Sequence, residues 1–461
     1  MLFSSNVFLF AFLPSILLIY FICPRRLRNT VLLLWSLLFY GWGEPVYLFL
    51  MIFTILLNYI FGAWIHGRMT KGKGAKGVLA VGVAANLSLL GFFKYAGFFV
   101  TQLKAFLPFM ASVEAPEISL PIGISFYIFQ SMSYVIDVYR KDAPVQKNPL
   151  TFGTYVTLFP QLIAGPIVRY ADVALQMNDR KESISQFSSG VQRFVLGMAK
   201  KVLLANTMGL LWDMLRAEQG TLAAWVGIMA YALQIYFDFS GYSDMAIGLG
   251  RMFGFEFLEN FNYPYISKTI TEFWRRWHIS LSTWFKEYVY IPLGGNRKGP
   301  VRQIFNLLIV WGLTGFWHGA SWNFLLWGLY YAILLIIEKL FLLKLLKKLP
   351  AFIGHIYAMV LVLFGWVLFF FEDMTALIGF FKRLFTPVAV SAQCTNLILG
   401  YLPMLVISIV AAVPMFKTFG DLHGQKPLVR TLKLFAVAVL LVLCVASLVS
   451  QSYNPFIYFK F

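Results

Sequence analysis

Charge is the first thing this 461-residue chain has little of. Asp, Glu, Lys and Arg make up 13% of it against 59% hydrophobic residues, where an ordinary soluble domain carries about 25% charged residues. That deficit excludes a water-soluble globule and leaves a polytopic membrane protein. Cysteine is scarce too: Cys23, Cys394 and Cys444 lie in or beside apolar runs, are odd in number and lack metal-type spacing. A disulfide framework is thereby excluded, no metal is expected, and the three read as inert packing residues. Acid is the scarcer sign, 20 Asp and Glu against 38 Lys and Arg, for a net charge of +18.

What is present are long windows free of charge: 1–24, 45–67, 118–136, 148–168, 349–371, 384–416 and 434–459, with shorter ones at 29–43, 77–93 and 221–237. They predict an all-α chain of roughly 10 to 12 membrane helices. The N-terminal run lacks a basic n-region and exceeds a usual signal h-region, so it is expected to remain as the first span. Basic clusters at Arg25, Arg26 and Arg28, at 68–76, at 344–348 and at 417–433 alternate with acidic or neutral turns at Glu44, at Glu114 and Glu117, and at Glu372 and Asp373. This positive-inside alternation speaks against nucleic acid as the reason for the charge and predicts both termini outside. The loop at 71–77 is flexible and basic; without the strand-loop-helix setting of a phosphate cradle it reads as a cytoplasmic loop.

One stretch organises the rest. Residues 303–337 contain no Asp, Glu, Lys or Arg and a single histidine, His318. As one helix they would measure about 50 Å against a hydrocarbon core of about 30 Å. A break or strong tilt is therefore expected, and Gly312, Gly315 and Gly319 place it around His318. An intramembrane histidine is a functional candidate by default; a histidine that only bonds a neighbouring helix is the alternative.

Three further stretches interrupt the apolar pattern. In 159–170, Pro160, Gly165 and Pro166 forbid a regular helix, which at membrane depth requires protein or a cavity to satisfy the backbone. In 236–244, Asp238 and Asp244 end an apolar span; helix packing and support of a site fit them better than a proton relay. Thr269 and Glu272 form a capping box that opens a helix expected to run to Ile291, before Pro292. On it Phe273, Trp274, Trp277, His278, Leu281, Trp284, Phe285 and Tyr288 share one face, and Glu272, Arg275, Arg276, Lys286 and Glu287 the other. The helix should lie along the interface with His278 pointing inward. Two inward histidines, with no metal pattern and no Gly-x-Ser-x-Gly elbow, suit general base catalysis on an acyl donor.

The runs 160–166, 238–244, 273–284, 290–296 and 317–323 (Trp-His-Gly-Ala-Ser-Trp-Asn) together resemble the membrane-bound O-acyltransferases, in particular the bacterial branch with alginate O-acetylase membrane subunits and peptidoglycan O-acetyltransferases. The resemblance implies one membrane-embedded domain over 1–461, with N-terminal helices to 140, a catalytic core over 141–345 and C-terminal helices beyond, around a central tunnel. It makes His318 the catalytic histidine and His278 a second polar position, asparagine or aspartate in many eukaryotic relatives, that orients or polarises a substrate. It implies acetyl-CoA as donor, a bacterial inner-membrane location, membrane lipid around the helices, an extracytoplasmic partner of SGNH hydrolase fold and an envelope polysaccharide as final acceptor. Arg275, Arg276, Lys286, Arg297 and Lys298 would hold the donor's phosphates, or are ordinary positive-inside charge. The ending at 454–461, Asn-Pro-Phe-Ile-Tyr-Phe-Lys-Phe, is similar to that of the small partner in teichoic acid D-alanylation, where a tyrosine is proposed to carry the acyl group; Tyr458 would do so here, unless it is an aromatic belt anchor. D-alanyl transfer to teichoic acid from a carrier protein, and a transporter, are the rival functions.

Overall fold

The computed structural model describes residues 1–450 apart from 111, 164 and 425. Among these residues there are helices and no strands, as a chain with no water at membrane depth to satisfy its backbone requires. Seven helices are long and apolar enough to cross a membrane: Tyr47–Thr70, Lys76–Phe106, Ile184–Leu215, Thr221–Met252, Ala351–Phe370, Ala392–Ala411 and Pro427–Ser450. With shorter apolar helices such as Phe8–Ile22, they make this a multi-pass membrane protein. Two compact units are formed, residues 1–194 with 245–258, and 195–244 with the described residues from 259 onward.

In the first unit five helices occupy the first 140 residues: Phe8–Ile22, Arg28–Gly41, Tyr47–Thr70, Lys76–Phe106 and Ile124–Arg140. Asn58 and Asn86, both fully buried, exchange amide hydrogen bonds of 3.0 and 2.8 Å between two of them. Each also donates to its own helix, to Thr54 O and Gly82 O, so two polar groups are satisfied where lipid offers none. The expected break in 159–170 is present: a short helix, Phe159–Leu162, is followed, among the described residues, by non-helical backbone to Arg169. Several polar groups in and beside it find protein partners. Phe159 N donates to Ser36 Oγ at 3.1 Å, Gln161 Nε2 to Tyr155 O at 2.6 Å, Tyr170 N to Ser133 Oγ at 3.2 Å and Ala171 N to Asp137 Oδ2 at 3.2 Å.

The second unit is built around aromatic rings, among them Trp212, Tyr231, Trp274, Trp277, Trp327, Tyr331 and Trp366, all buried. The charge-free stretch folds into a hairpin of helices Pro300–His318 and Trp322–Ile337. The break falls after His318, at residues 319–321, and not across the glycine run: the helix continues unbroken through Gly312 and Gly315. The reason is packing. A Cβ on Gly315 would collide with the carbonyl oxygen of Phe324, and one on Gly328 with that of Trp311, so the glycines let the two backbones touch. Small residues serve this purpose in membranes because the area of contact, not water, drives helices together.

Asp238 and Asp244 are ion-paired. Asp238 meets Lys201 at 2.7 Å with both side chains at most 3% exposed, and Asp244 meets Lys200 at 2.6 Å. The lysines come from a π-helical turn, Lys200–Ala205, and charges so deep are tolerable only when paired.

Candidate active site

His318 is the last residue of its helix and is 5% exposed. Its ring meets edge-on the rings of Trp317 at 5.0 Å, Trp327 at 5.0 Å and Phe369 at 5.3 Å between centroids. Two features hold it there. A Cβ at Gly319 would strike the ring of Phe324, so only glycine lets the chain leave His318 along this path. Asn323, in the first turn of the returning helix, donates from Nδ2 to Leu368 O at 3.3 Å and Phe369 O at 3.2 Å. These carbonyls end the helix Ala351–Phe370 and lack onward helical partners, so the bond satisfies them and fixes Phe369 against the imidazole.

The interfacial helix departs from expectation. It is not continuous from Thr269 to Ile291 but two short helices, Ile270–Arg276 and Ile279–Phe285, followed by a π-helical turn, Lys286–Tyr290. The chain turns at His278, whose backbone is left-handed at φ 43°, a conformation uncommon for a residue other than glycine and a frequent mark of functional sites. Thr269 Oγ1 accepts from Glu272 N at 2.9 Å as the capping box requires, but the Glu272 carboxylate returns to Lys268 N at 3.0 Å instead of Thr269 N. Most of the expected apolar face is buried, at Phe273, Trp274, Trp277, Leu281, Trp284 and Phe285, while Tyr288 is only half-buried.

His278 is 1% exposed. Its ring stands edge-on to Phe239 at 4.6 Å and lies 6.2 Å from that of Trp317. The indole of Trp317 therefore borders both histidines. Nδ1 of His278 is 3.1 Å from Oδ1 of Asn260. Burial pushes the His278 imidazole down to about 3, because the low-dielectric surroundings disfavour the cation. The imidazole is therefore neutral, and a neutral imidazole keeps one nitrogen lone pair that can accept a hydrogen bond.

Of the cationic candidates, Arg275, Lys286, Arg297 and Lys298 are exposed. Arg276 is engaged within the fold: its guanidinium bonds Glu272 at 3.0 and 2.9 Å and donates to Asn262 O at 3.1 Å. Tyr458 lies outside the described residues. The site thus brings the two histidines to one tryptophan. Sequence reasoning gave no role of their own to Asn260, Asn323 and Glu338, because each bonds backbone or residues distant in the chain.

Residues 138–378 match the model of the membrane-bound O-acyltransferase family. The chain is 40% identical to a probable alginate O-acetylase of Azotobacter vinelandii over the whole of both proteins. It is 44% identical to a probable alginate O-acetylase of Pseudomonas aeruginosa over 84% of this chain and 75% of the relative. A peptidoglycan O-acetyltransferase of Helicobacter pylori is 38% identical over 74% of this chain and 70% of its own.

Proposed function

Because the chain belongs to the membrane-bound O-acyltransferase family and is an O-acyltransferase, we propose that it takes acetyl groups from cytoplasmic acetyl-CoA and passes them through the membrane for O-acetylation of a cell-envelope polysaccharide. His318 is the general base. It accepts the proton of an attacking hydroxyl, the hydroxyl oxygen forms a bond to the acetyl carbonyl carbon, the carbon-sulfur bond breaks, and the proton leaves with the CoA thiol. His278 holds the reacting hydroxyl or carbonyl in place.

Support comes above all from His318 itself: a buried imidazole at the break of the charge-free stretch 303–337, with the rings of Trp317, Trp327 and Phe369 around it. Water is kept from a thioester at such a place, and an ionisable group at membrane depth is otherwise an unrewarded cost. Coenzyme A is large and polyanionic and stays on the side where it binds, so only the small acetyl group crosses. Arg275 on the helix Ile270–Arg276, Lys286 in the π-helical turn, and Arg297 and Lys298 after it are exposed and suit its phosphates; Arg276 supports the helix instead.

On the far side the acetyl group is collected by Tyr458, with both termini extracytoplasmic in a bacterial inner membrane, and handed to a partner of SGNH hydrolase fold. A phenol of pKa about 10 is a better leaving group than an aliphatic alcohol, so its ester remains activated for a second transfer. The test is to incubate the purified full chain, without partner, with acetyl-CoA labelled in the acetyl group. Free CoA thiol and a labelled C-terminal peptide are expected; label that never leaves CoA contradicts the assignment of donor.

A further inference from the structure

We propose that Asn260 is a positioning residue that locks His278 in the tautomer protonated on Nδ1, leaving Nε2 as the basic, accepting nitrogen in the acyl-transfer site; the inference rests on the acyltransferase reading of His278. The orientation of the Asn260 amide decides the point. The backbone N–H of Ser280 can only donate, and it stands 3.2 Å from the side-chain atom Oδ1, so that atom must be the oxygen. The Ser280 hydroxyl donates to the same oxygen at 2.9 Å, and on the opposite side Asn260 Nδ2 donates to Ser243 Oγ at 3.1 Å. The oxygen is therefore what faces Nδ1 of His278 at 3.1 Å, and an acceptor there requires a hydrogen on Nδ1.

The Ser280 hydroxyl also lies 3.5 Å from Nδ1, but it has one hydrogen and the bond to Asn260 is shorter. Asn260, Ser243, Ser280 and His278 are each at most 4% exposed, which leaves solvent no part in choosing the tautomer. Asn260 is itself anchored, since Ile279 N donates to its backbone carbonyl at 2.9 Å. The left-handed turn at His278 thus brings Ile279, Ser280 and the imidazole together onto one asparagine 18 residues away. Such second contacts set which ring nitrogen of a histidine is reactive.

The full chain, purified with ¹⁵N-labelled histidine, carries five histidines, so the His278 signals are identified by their loss in His278→Asn. Nitrogen NMR of the unsubstituted protein should show Nδ1 protonated and Nε2 bare, and a predominant Nε2–H form overturns the proposal. Asn260→Leu should release the tautomer and lower kcat roughly 10²-fold with KM for acetyl-CoA unchanged. Asn260→Asp, which still presents an acceptor to Nδ1, should keep the Nδ1–H signal and recover most of kcat. A merely structural asparagine would leave the tautomer untouched in Asn260→Leu, and that result also overturns the proposal. The NMR signal reports on Asn260 whether or not acetyl-CoA is the donor, so a failed donor assignment is recognised separately by the absence of CoA release.

Discussion

Glu338 is the first charged residue after the charge-free run, and it grips Thr271 across 67 residues, accepting from its backbone N at 2.8 Å and from its Oγ1 at 2.6 Å. The other carboxylate oxygen accepts from Ile270 N at 2.6 Å and Tyr357 Oη at 3.2 Å. A fully buried acid thereby satisfies the first backbone donors of the helix that leads to His278, and it does so from the end of the hairpin that carries His318. One side chain ties the elements bearing both histidines.

Glu338→Ala should abandon these buried donors at about 1–3 kcal/mol for each one left without a partner. Thermal unfolding in detergent should show a clear loss of stability, and Glu338→Gln, which keeps one acceptor, a smaller one. Equal stability of Glu338→Ala and the unsubstituted chain would mean that the helix does not depend on this cap.

Gly315→Ala tests the hairpin. The added methyl meets the Phe324 carbonyl, and overpacking of a tight contact costs typically about 1–3 kcal/mol. Gly312→Ala, where nothing lies within 4 Å, is the control and should be neutral or slightly stabilising through helix propensity. Indistinguishable melting of the two variants would contradict the close approach.

His278→Asn should retain more acyl transfer than His278→Ala. Asparagine keeps a hydrogen-bonding side chain, and among non-glycine residues it is one of the best suited to the left-handed backbone that position 278 adopts. Initial rates with saturating acetyl-CoA decide it; an alanine variant as active as the asparagine variant removes any polar role for the side chain.

Much of this was legible because it is local or compositional. The scarcity of charge gave the membrane, the Thr269–Glu272 spacing gave a helix start, and the period of Phe273, Trp277 and Leu281 gave the buried face. The turn at His278 was not legible, since neither glycine nor proline marks it and the left-handed backbone is stabilised by Asn260, 18 residues upstream. Gly312 and Gly315 illustrate the opposite error. Propensity reads glycine as a helix breaker, whereas at Gly315 the lost propensity is outweighed by backbone contact with the neighbouring helix. Lys201 and Asp238 escaped notice as a pair because nothing in a sequence says which two distant charges will meet.

Tyr458→Phe removes one oxygen and keeps the ring, so it removes the proposed acyl carrier and little else. With labelled acetyl-CoA and no partner, the C-terminal peptide should lose its label, and polymer acetylation should fail once the partner is supplied. Normal polymer acetylation by Tyr458→Phe would remove the relay and favour direct transfer to the partner.

The most direct measurement is the rate of CoA thiol release from acetyl-CoA by purified His318→Ala, beside a melting curve showing that it remains folded. A general base contributes about 10²- to 10⁴-fold, and the rings of Trp317, Trp327 and Phe369 that meet His318 edge-on carry no basic nitrogen. A folded His318→Ala protein should therefore release CoA at least about 10²-fold more slowly; a folded variant that releases it at the unsubstituted rate would contradict the assignment of His318 as the base.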